Sequence, residues 1–200
     1  MAGEWRPLFD GESLAGWSAT GPADRWTVAD GELVCRGESA SMPTLTTYLF
    51  AHERFGDFDF ELEYNHEPDA NSGIYFRWSE LSERGTGMEV QILDPERDVE
   101  PSHACGALYD MVAPASMAAR PAGEWNRLRL TCEGPEIAVT LNGERVVEAD
   151  IDEWTTPGEN PDGTGNKFDF AMADLPREGR LALQNHGGRV RFRDLRVRER

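Results

Sequence analysis

The placement of apolar residues at every second position is the feature that most limits the fold of this chain. In residues 58–65 apolar side chains alternate with acids or an amide, in the order Phe58, Asp59, Phe60, Glu61, Leu62, Glu63, Tyr64 and Asn65. Successive side chains of an extended strand point to opposite faces, so this pattern predicts a strand with one apolar face. Similar alternation recurs at residues 74–78, 88–92, 128–132 and 137–141.

Turn signals join several of these segments into hairpins. Asn142-Gly143 links the strand at 137–141 to 145–147, and Asn-Gly accepts the positive φ angles of a tight hairpin turn. Residues 181–186 and 190–193 predict two more strands on either side of Gly187-Gly188. Helical periodicity is scarce. We therefore predict an all-β fold, a two-sheet antiparallel β-sandwich of the jelly-roll type.

The chain length and the spread of turn-forming residues predict one domain over residues 1–200. There is no internal repeat, and glycine and proline are spread along the chain instead of forming one linker. The segment from Trp154 to Arg180 is the least regular, because prolines and glycines interrupt it. Such a segment is either a surface excursion or a lid over a site.

Charge and cysteine content exclude several classes of protein. The formal net charge is -17, which disfavours nucleic acid and anionic membrane surfaces as partners. Three widely spaced cysteines, Cys35, Cys105 and Cys132, predict neither a disulfide framework nor a metal knuckle. The first residues lack a basic segment followed by an apolar run, so the chain as written is expected to be cytoplasmic. Removal of a signal peptide would leave an exported form open.

The order of many short motifs resembles that of the 3-keto-disaccharide hydrolase family. The motifs that carry this resemblance are Leu8–Gly11, Gly16–Trp17, Trp26–Val28, Phe55–Phe58, Asn71–Ile74, Glu89–Asp94, Gly106–Tyr109, Gly123–Asn126, Leu141–Gly143, Asn166–Phe168 and Leu183–Gly188. The resemblance runs over nearly the whole chain. It implies a concanavalin A-like lectin/glucanase sandwich and hydrolysis of 3-keto glycosides. At Asn185 the chain departs from the acid that we expect in many relatives.

Strand parity and the resemblance together indicate a site on one sheet face. If Met88, Val90 and Ile92 face the core, then Glu89 and Gln91 face the opposite side. The same argument groups alternate residues on two further strands, namely Asn71, Gly73, Tyr75 and Arg77 on one and Ala182, Gln184 and His186 on the other. The resemblance implies that these strands lie side by side. Amide, guanidinium and aromatic groups suit sugar recognition. The substrate-binding candidates are Asn71, Tyr75, Gln91, Tyr109, Lys167 and Gln184, and the catalytic candidates are Glu89, His186 and Arg77.

The chemistry expected of a 3-keto sugar assigns roles to the catalytic candidates. The carbonyl acidifies the hydrogen on C2, so a base can remove it, the substituent at C1 can depart, and water can add. Glu89 and His186 are the proton-transfer pair, and the sequence does not decide which is the base. Arg77, Lys167 or a bound cation would stabilise the enolate oxygen. No cofactor is required by this scheme, a divalent cation stays open, and no metal ligands are assigned.

Two other classes of function remain open at this stage. A non-catalytic carbohydrate-binding module would show the same polar face without a base whose titration is perturbed. A structural or assembly domain would show a large apolar surface patch instead of a polar groove. For a hydrolase or a carbohydrate-binding module, the expected partner is a small sugar or glycoside. The oligomeric state is not addressed by the sequence.

Overall fold

The computed structural model describes residues 3–37, 46–79 and 86–200, and these ranges form a two-sheet antiparallel β-sandwich. No α-helix occurs in them. The strands are β1 (Arg6–Pro7), β2 (Trp17–Ala19), β3 (Trp26–Ala29), β4 (Glu32–Cys35), β5 (Thr47–Phe55), β6 (Phe58–His66), β7 (Asn71–Ser79), β8 (Thr86–Leu93), β9 (Asn126–Glu133), β10 (Glu136–Leu141), β11 (Glu144–Asp150), β12 (Gly179–Gly187) and β13 (Val190–Glu199). Short 3-10 helices cover Ala23–Arg25, Pro101–His103, Ile151–Glu153 and Met172–Asp174.

The strands divide into a larger and a smaller sheet. The eight-stranded sheet has the order β11-β10-β9-β6-β13-β4-β3, with β1 paired to β13, and the five-stranded sheet has the order β2-β5-β12-β7-β8. The predicted sandwich is therefore confirmed. The Asn142-Gly143 hairpin is also confirmed, because β10 and β11 pair across it and both residues have positive φ angles.

The core lies between the two sheets and is built from the alternating apolar residues. Phe58, Phe60, Leu62 and Tyr64 are each at most 1% exposed and face the strands of the smaller sheet. From the smaller sheet the core receives Met88, Val90 and Ile92, together with inward residues of β5, β7 and β12. The parity inferred for β8 is therefore confirmed, and the opposite face of the smaller sheet is left for other chemistry.

Arginines cover the acids on the outer face of the larger sheet. Asp59 is fully buried there, although it points away from the core, and Arg129, Arg198 and Arg200 contact it. Burial disfavours the charged carboxylate, but hydrogen bonds from Thr131 and these arginines outweigh it and lower the pKa of Asp59 to about 2. The acids of β6 are thus structural ion-pair partners.

The three cysteines are free and buried, and Cys132 belongs to the core as predicted. In the described ranges, no helix has the length and apolar character needed to span a membrane.

Candidate functional site

The outer face of the five-stranded sheet carries a cleft whose side chains come in rows across the strands. One row runs from Tyr48 on β5 through Gln184 on β12 and Gly73 on β7 to Gln91 on β8. The next row contains Phe50, Ala182, Tyr75 and Glu89 on the same four strands. A cavity of about 170 Å³ lies over these rows, and its lining is Thr46, Tyr48, Asn71, Tyr75, Glu89, Gln91, Tyr109, Lys167, Gln184 and His186.

Glycine at position 73 makes room for the carboxylate of Glu89. A Cβ atom at Gly73 would lie 2.1 Å from Glu89 Oε1 and 2.9 Å from its Cδ, which real side chains do not tolerate. Glu89 therefore crosses from its own strand over the neighbouring one and reaches the middle of the cleft. Only 5% of the residue stays exposed. The absence of a side chain at Gly73 is what allows a carboxylate at this point.

Burial changes the titration of Glu89. Its removal from water raises the pKa to about 7, while the hydrogen bond from Tyr75 and the positive charge of Lys167 act in the opposite direction. Tyr75 Oη donates to Glu89 Oε2 at 2.7 Å, and Gln184 Nε2 donates to Tyr75 Oη at 3.2 Å. A carboxyl group with this pKa can act as acid or base near neutral pH.

Gln184 has an unused acceptor in the cleft. Its Oε1 atom is buried and has no hydrogen-bond partner among the described residues. Its Nε2 already donates to Tyr75, so the oxygen is the unpaired half of this amide. An unpaired buried acceptor is unfavourable.

Lys167, the only lysine in the sequence, forms one wall beside Glu89. Its Nζ lies 4.0 Å from Glu89 Oε2 and 4.0 Å from the centre of the Tyr109 ring. Burial lowers the pKa of Lys167, and the nearby carboxylates of Glu89 and Asp110 raise it in part. The irregular segment from Trp154 to Arg180 therefore places the Lys167 ammonium in the cleft. This agrees with the predicted alternative to a surface excursion, a segment that lies over a site.

His103 and Asp110 support this wall from behind. The His103 ring stacks on Tyr109 with centroids 4.4 Å apart, and His103 Nε2 lies 3.0 Å from Asp110 Oδ1. Asp110 Oδ2 accepts a hydrogen bond from the Lys167 backbone N–H at 2.7 Å. Tyr109 thus contacts both the Lys167 ammonium and the His103 ring. The predicted site did not include His103, because nothing local in the sequence shows this stacking.

The remaining predicted residues lie around the rim. Asn71 and Gln91 line the cavity next to each other, with Gln91 Nε2 donating to Asn71 Oδ1 over a long 3.5 Å. His186 lines the same cavity and is exposed. All predicted site residues except Arg77 therefore meet in one cleft, and their catalytic and binding roles stay predictions.

The predicted position of Arg77 on this face is wrong. Its side chain is fully buried at the end of the sandwich, where Nη2 donates to the backbone oxygens of Gly134 at 2.8 Å and Gly56 at 3.2 Å. The β7–β8 register shifts between Phe76 and Ser79, and Arg77 has a φ of +50°. This bulge reverses the alternation, so Arg77 points away from the cleft.

Trp78 takes the position on the cleft face that parity had given to Arg77. Its ring centre lies 5.3 Å from that of Tyr75, 5.3 Å from Tyr48 and 5.2 Å from Phe50. The predicted site did not include Trp78, Tyr48 or Phe50. The segment Thr47–Ala51 carries apolar or aromatic residues on both faces, so its pattern does not reveal which face is the cleft.

A larger cavity, of about 660 Å³, lies on the outer face of the eight-stranded sheet. Two of its acids are neutralised, since Glu61 pairs with Arg127 and Arg196 and Glu63 pairs with Arg193. The smaller cleft has the unpaired acceptor and the carboxyl group of raised pKa, and we take it as the candidate site. Within the described ranges, no three His, Cys, Asp or Glu side chains are grouped so that they could hold a metal ion.

Comparison with known proteins gives a family and several relatives. A family model described as a 3-keto-alpha-glucoside-1,2-lyase-like domain matches residues 4–198. A protein of Bacteroides thetaiotaomicron named 3-keto-disaccharide hydrolase is 27% identical over 225 residues, which cover 96% of this chain and 77% of the relative.

Solved structures support the same architecture. A protein of Parabacteroides distasonis, provisionally described as a glycosyl hydrolase, superposes with a TM-score of 0.85 at 26% identity, covering 98% of this chain and all of the other. The carbohydrate-binding module CBM66 of Bacillus subtilis has a TM-score of 0.53 at 13% identity, covering 90% of this chain and 93% of the module. The second likeness concerns the fold alone.

Proposed function

The chain belongs to the 3-keto-alpha-glucoside-1,2-lyase-like domain family, and on that premise we propose that it cleaves the glycosidic bond of 3-keto glycosides. The name of the Bacteroides relative supports a hydrolase acting on such sugars. The observation that carries the proposal is the buried carboxyl group of Glu89, whose pKa is raised to about 7 and which lies beside an ammonium group in a sugar-sized cleft.

The proposed reaction is an elimination followed by addition of water. A base removes the proton from C2, and the electrons of the C2–H bond move toward the C3 carbonyl oxygen to give an enolate. The enolate then re-forms the carbonyl, a C1–C2 double bond forms, and the C1–O bond breaks with its electrons leaving on the aglycone oxygen, which takes up a proton. Water adds its oxygen to C1 while C2 regains a proton. The sum is hydrolysis of one glycosidic bond.

Glu89 is the proposed base at C2. Ionised Glu89 has a proton affinity well above that of an ordinary carboxylate, because burial raises its pKa to about 7, and it is still partly ionised at neutral pH. The hydrogen bond from Tyr75 fixes Oε2, and Oε1 lies over Gly73 on the open floor of the cleft. A general base that is fixed in place and matched to the working pH contributes roughly a hundred- to ten-thousandfold to rate.

Lys167 is the proposed stabiliser of the C3 oxygen. Its Nζ is 4.0 Å from the base, a separation that suits contacts with two neighbouring atoms of one substrate, the C2 hydrogen and the C3 oxygen. Arg77, the other protein cation considered for this role, is held at the end of the sandwich by Gly56 and Gly134. A bound cation remains open as an additional stabiliser.

His186 and Gln184 are proposed to hold hydroxyl groups of the sugar ring. His186 lies on the same strand as Gln184, two positions later, and lines the cavity. An imidazole there is suited to hydrogen-bond a sugar oxygen at the Asn71 end of the cleft. A small rotation of the Gln184 amide would let its unpaired Oε1 accept a hydrogen bond from a sugar hydroxyl.

The deciding experiment compares a 3-keto glucoside with its unoxidised parent. Release of the aglycone from the keto substrate alone is the expected result, because only the carbonyl acidifies C2. In deuterated water, exchange at C2 followed by nuclear magnetic resonance reports proton removal directly. Equal cleavage of both substrates would contradict the elimination route, and binding without cleavage of either would favour a carbohydrate-binding module.

A further inference from the structure

Four aromatic side chains form a continuous surface next to the cavity. We call Tyr48, Phe50, Tyr75 and Trp78 the aromatic platform. Their ring centres lie between 5.2 and 5.7 Å apart in each contacting pair. Tyr48, Phe50 and Trp78 are only partly buried. Phe50 and Trp78 do not line the 170 Å³ cavity, so the platform extends the cleft beyond the space around Glu89.

Small residues lie beneath the rings. Ala182 pairs with Phe50 on one side and Tyr75 on the other, and its methyl group is the only side chain at that point of β12. Gly87 likewise leaves space behind the indole, because a Cβ there would lie 3.2 Å from Trp78 Cε3. These two small residues are buried beneath the rings, so the rings themselves form the surface of the platform.

The order of groups across the sheet gives the substrate a direction. Lys167 and Tyr109 lie beyond β8, since Tyr109 N–H bonds to the Glu89 carbonyl oxygen at the edge of that strand. Going inward, Glu89 follows, and then the platform on β7 and β5. If Lys167 holds the C3 oxygen and Glu89 faces C2, then C1 lies on the far side of Glu89 from Lys167. The group attached to C1 therefore projects toward the platform.

We infer that the aromatic platform is the binding site for the aglycone and selects substrates whose aglycone is a ring with an apolar face. This inference rests on the proposed function, because it uses the positions assigned to C1, C2 and C3. Ring faces of sugars and aryl groups both pack on aromatic side chains, whereas a methyl group covers little of such a surface. The cavity around Glu89, at about 170 Å³, is smaller than the roughly 300–1,000 Å³ of drug-sized sites, so it suits one sugar ring and leaves the second ring to the platform.

The test uses three 3-keto glucosides that differ only in the aglycone, which is methyl, benzyl or a second glucose. Methyl and benzyl alkoxides are similar leaving groups, so their ratio of kcat/KM reports binding of the ring. Trp78→Ala should lower the benzyl-to-methyl ratio about tenfold, equivalent to about 1.4 kcal/mol, and leave the rate on the methyl substrate within threefold. Trp78→Phe should restore part of the ratio. The glucosyl substrate shows whether the natural ring is a sugar or an aryl group.

Trp125→Ala is the matched control, since Trp125 is a partly buried tryptophan that stacks on Arg193 of the other sheet. It should leave all ratios unchanged. An unchanged ratio in Trp78→Ala, or equal losses on methyl and benzyl substrates, overturns the inference while the proposed function stands. If the parent protein cleaves none of the substrates, the proposed function fails. Calorimetric titration of Glu89→Gln with the same compounds then decides, and equal affinity for methyl and benzyl compounds overturns the platform as a ring site.

Discussion

Replacement of Glu89 by glutamine should raise the stability of the protein and abolish most of its activity. The folded protein holds this carboxyl group with a pKa of about 7 against an ordinary value of 4.5, because burial disfavours the charge. A group with a raised pKa contributes its full stability below 4.5 and loses it as the pH rises through about 7. The difference between the two values corresponds to roughly 3 kcal/mol. Glutamine keeps the size and an acceptor for Tyr75 but never ionises.

The assay is chemical denaturation of both proteins from pH 4 to pH 8. The free energy of unfolding of Glu89→Gln, minus that of the parent, should grow by roughly 3 kcal/mol from pH 4 to pH 8. Any effect of the amide that does not depend on pH is the same at both ends of this range and therefore cancels. In parallel, kcat/KM of the parent should rise with pH around a midpoint near 7. The variant should be at least about a hundredfold slower on a 3-keto glycoside at neutral pH.

Two outcomes would refute this reasoning. If the two stability curves run parallel from pH 4 to pH 8, the carboxyl group of Glu89 titrates normally and burial does not perturb it. If activity stays within a few-fold of the parent, Glu89 is not the base. Glu63→Gln is the control for activity, because Glu63 pairs with Arg193 on the outer face of the other sheet and should have no influence on turnover.

The remaining predictions concern neighbours of the site and the residue that was misplaced. Gly73→Ala should displace the Glu89 carboxylate, since the new Cβ would lie 2.1 Å from Oε1. Turnover should then fall about as far as in Glu89→Gln, while the circular dichroism spectrum stays that of the folded parent. Lys167→Met should lower kcat about tenfold or more with circular dichroism unchanged, because the cation beside the base is lost. Reductive methylation of Lys167, the only lysine in the sequence, keeps the charge and should lower kcat less in the same assay. Arg77→Met should lower the denaturation midpoint by an amount equivalent to about 1–3 kcal/mol, because the carbonyl oxygens of Gly56 and Gly134 lose their donor. Turnover by the folded fraction should not change.

Strand parity was sufficient to orient the residues near the middle of regular strands. Glu89 and Gln91 could be placed on the open face because Met88, Val90 and Ile92 are unambiguous core residues in an uninterrupted strand. The same applies to Gln184, since Leu181 and Leu183 are buried on the other side. A period of two is a local property, and the sequence alone reports it well wherever one face is apolar and the other is polar.

Parity failed at Arg77 because a bulge is not visible in a period of two. The shift between Phe76 and Ser79 adds a residue to one strand, and every side chain after it changes face. A residue other than glycine rarely adopts the φ of +50° found at Arg77. At the same point the backbone of Gly179 comes so close that a Cβ on it would lie 2.3 Å from the Arg77 carbonyl carbon. The bulge therefore depends on a glycine about a hundred residues away, which no local pattern reports.

The same bulge links stability to the proposed selectivity. By turning Arg77 inward it lets one guanidinium join the turns at Gly56 and Gly134, and by turning Trp78 outward it completes the aromatic platform beside Tyr75. A strand without the bulge would expose an arginine on the cleft face and bury the indole. Since the guanidinium lies at the end of the sandwich and the indole lies on the cleft, one irregularity in β7 determines both the packing at that end and the ring surface that faces the aglycone. Selection for either property would preserve the other.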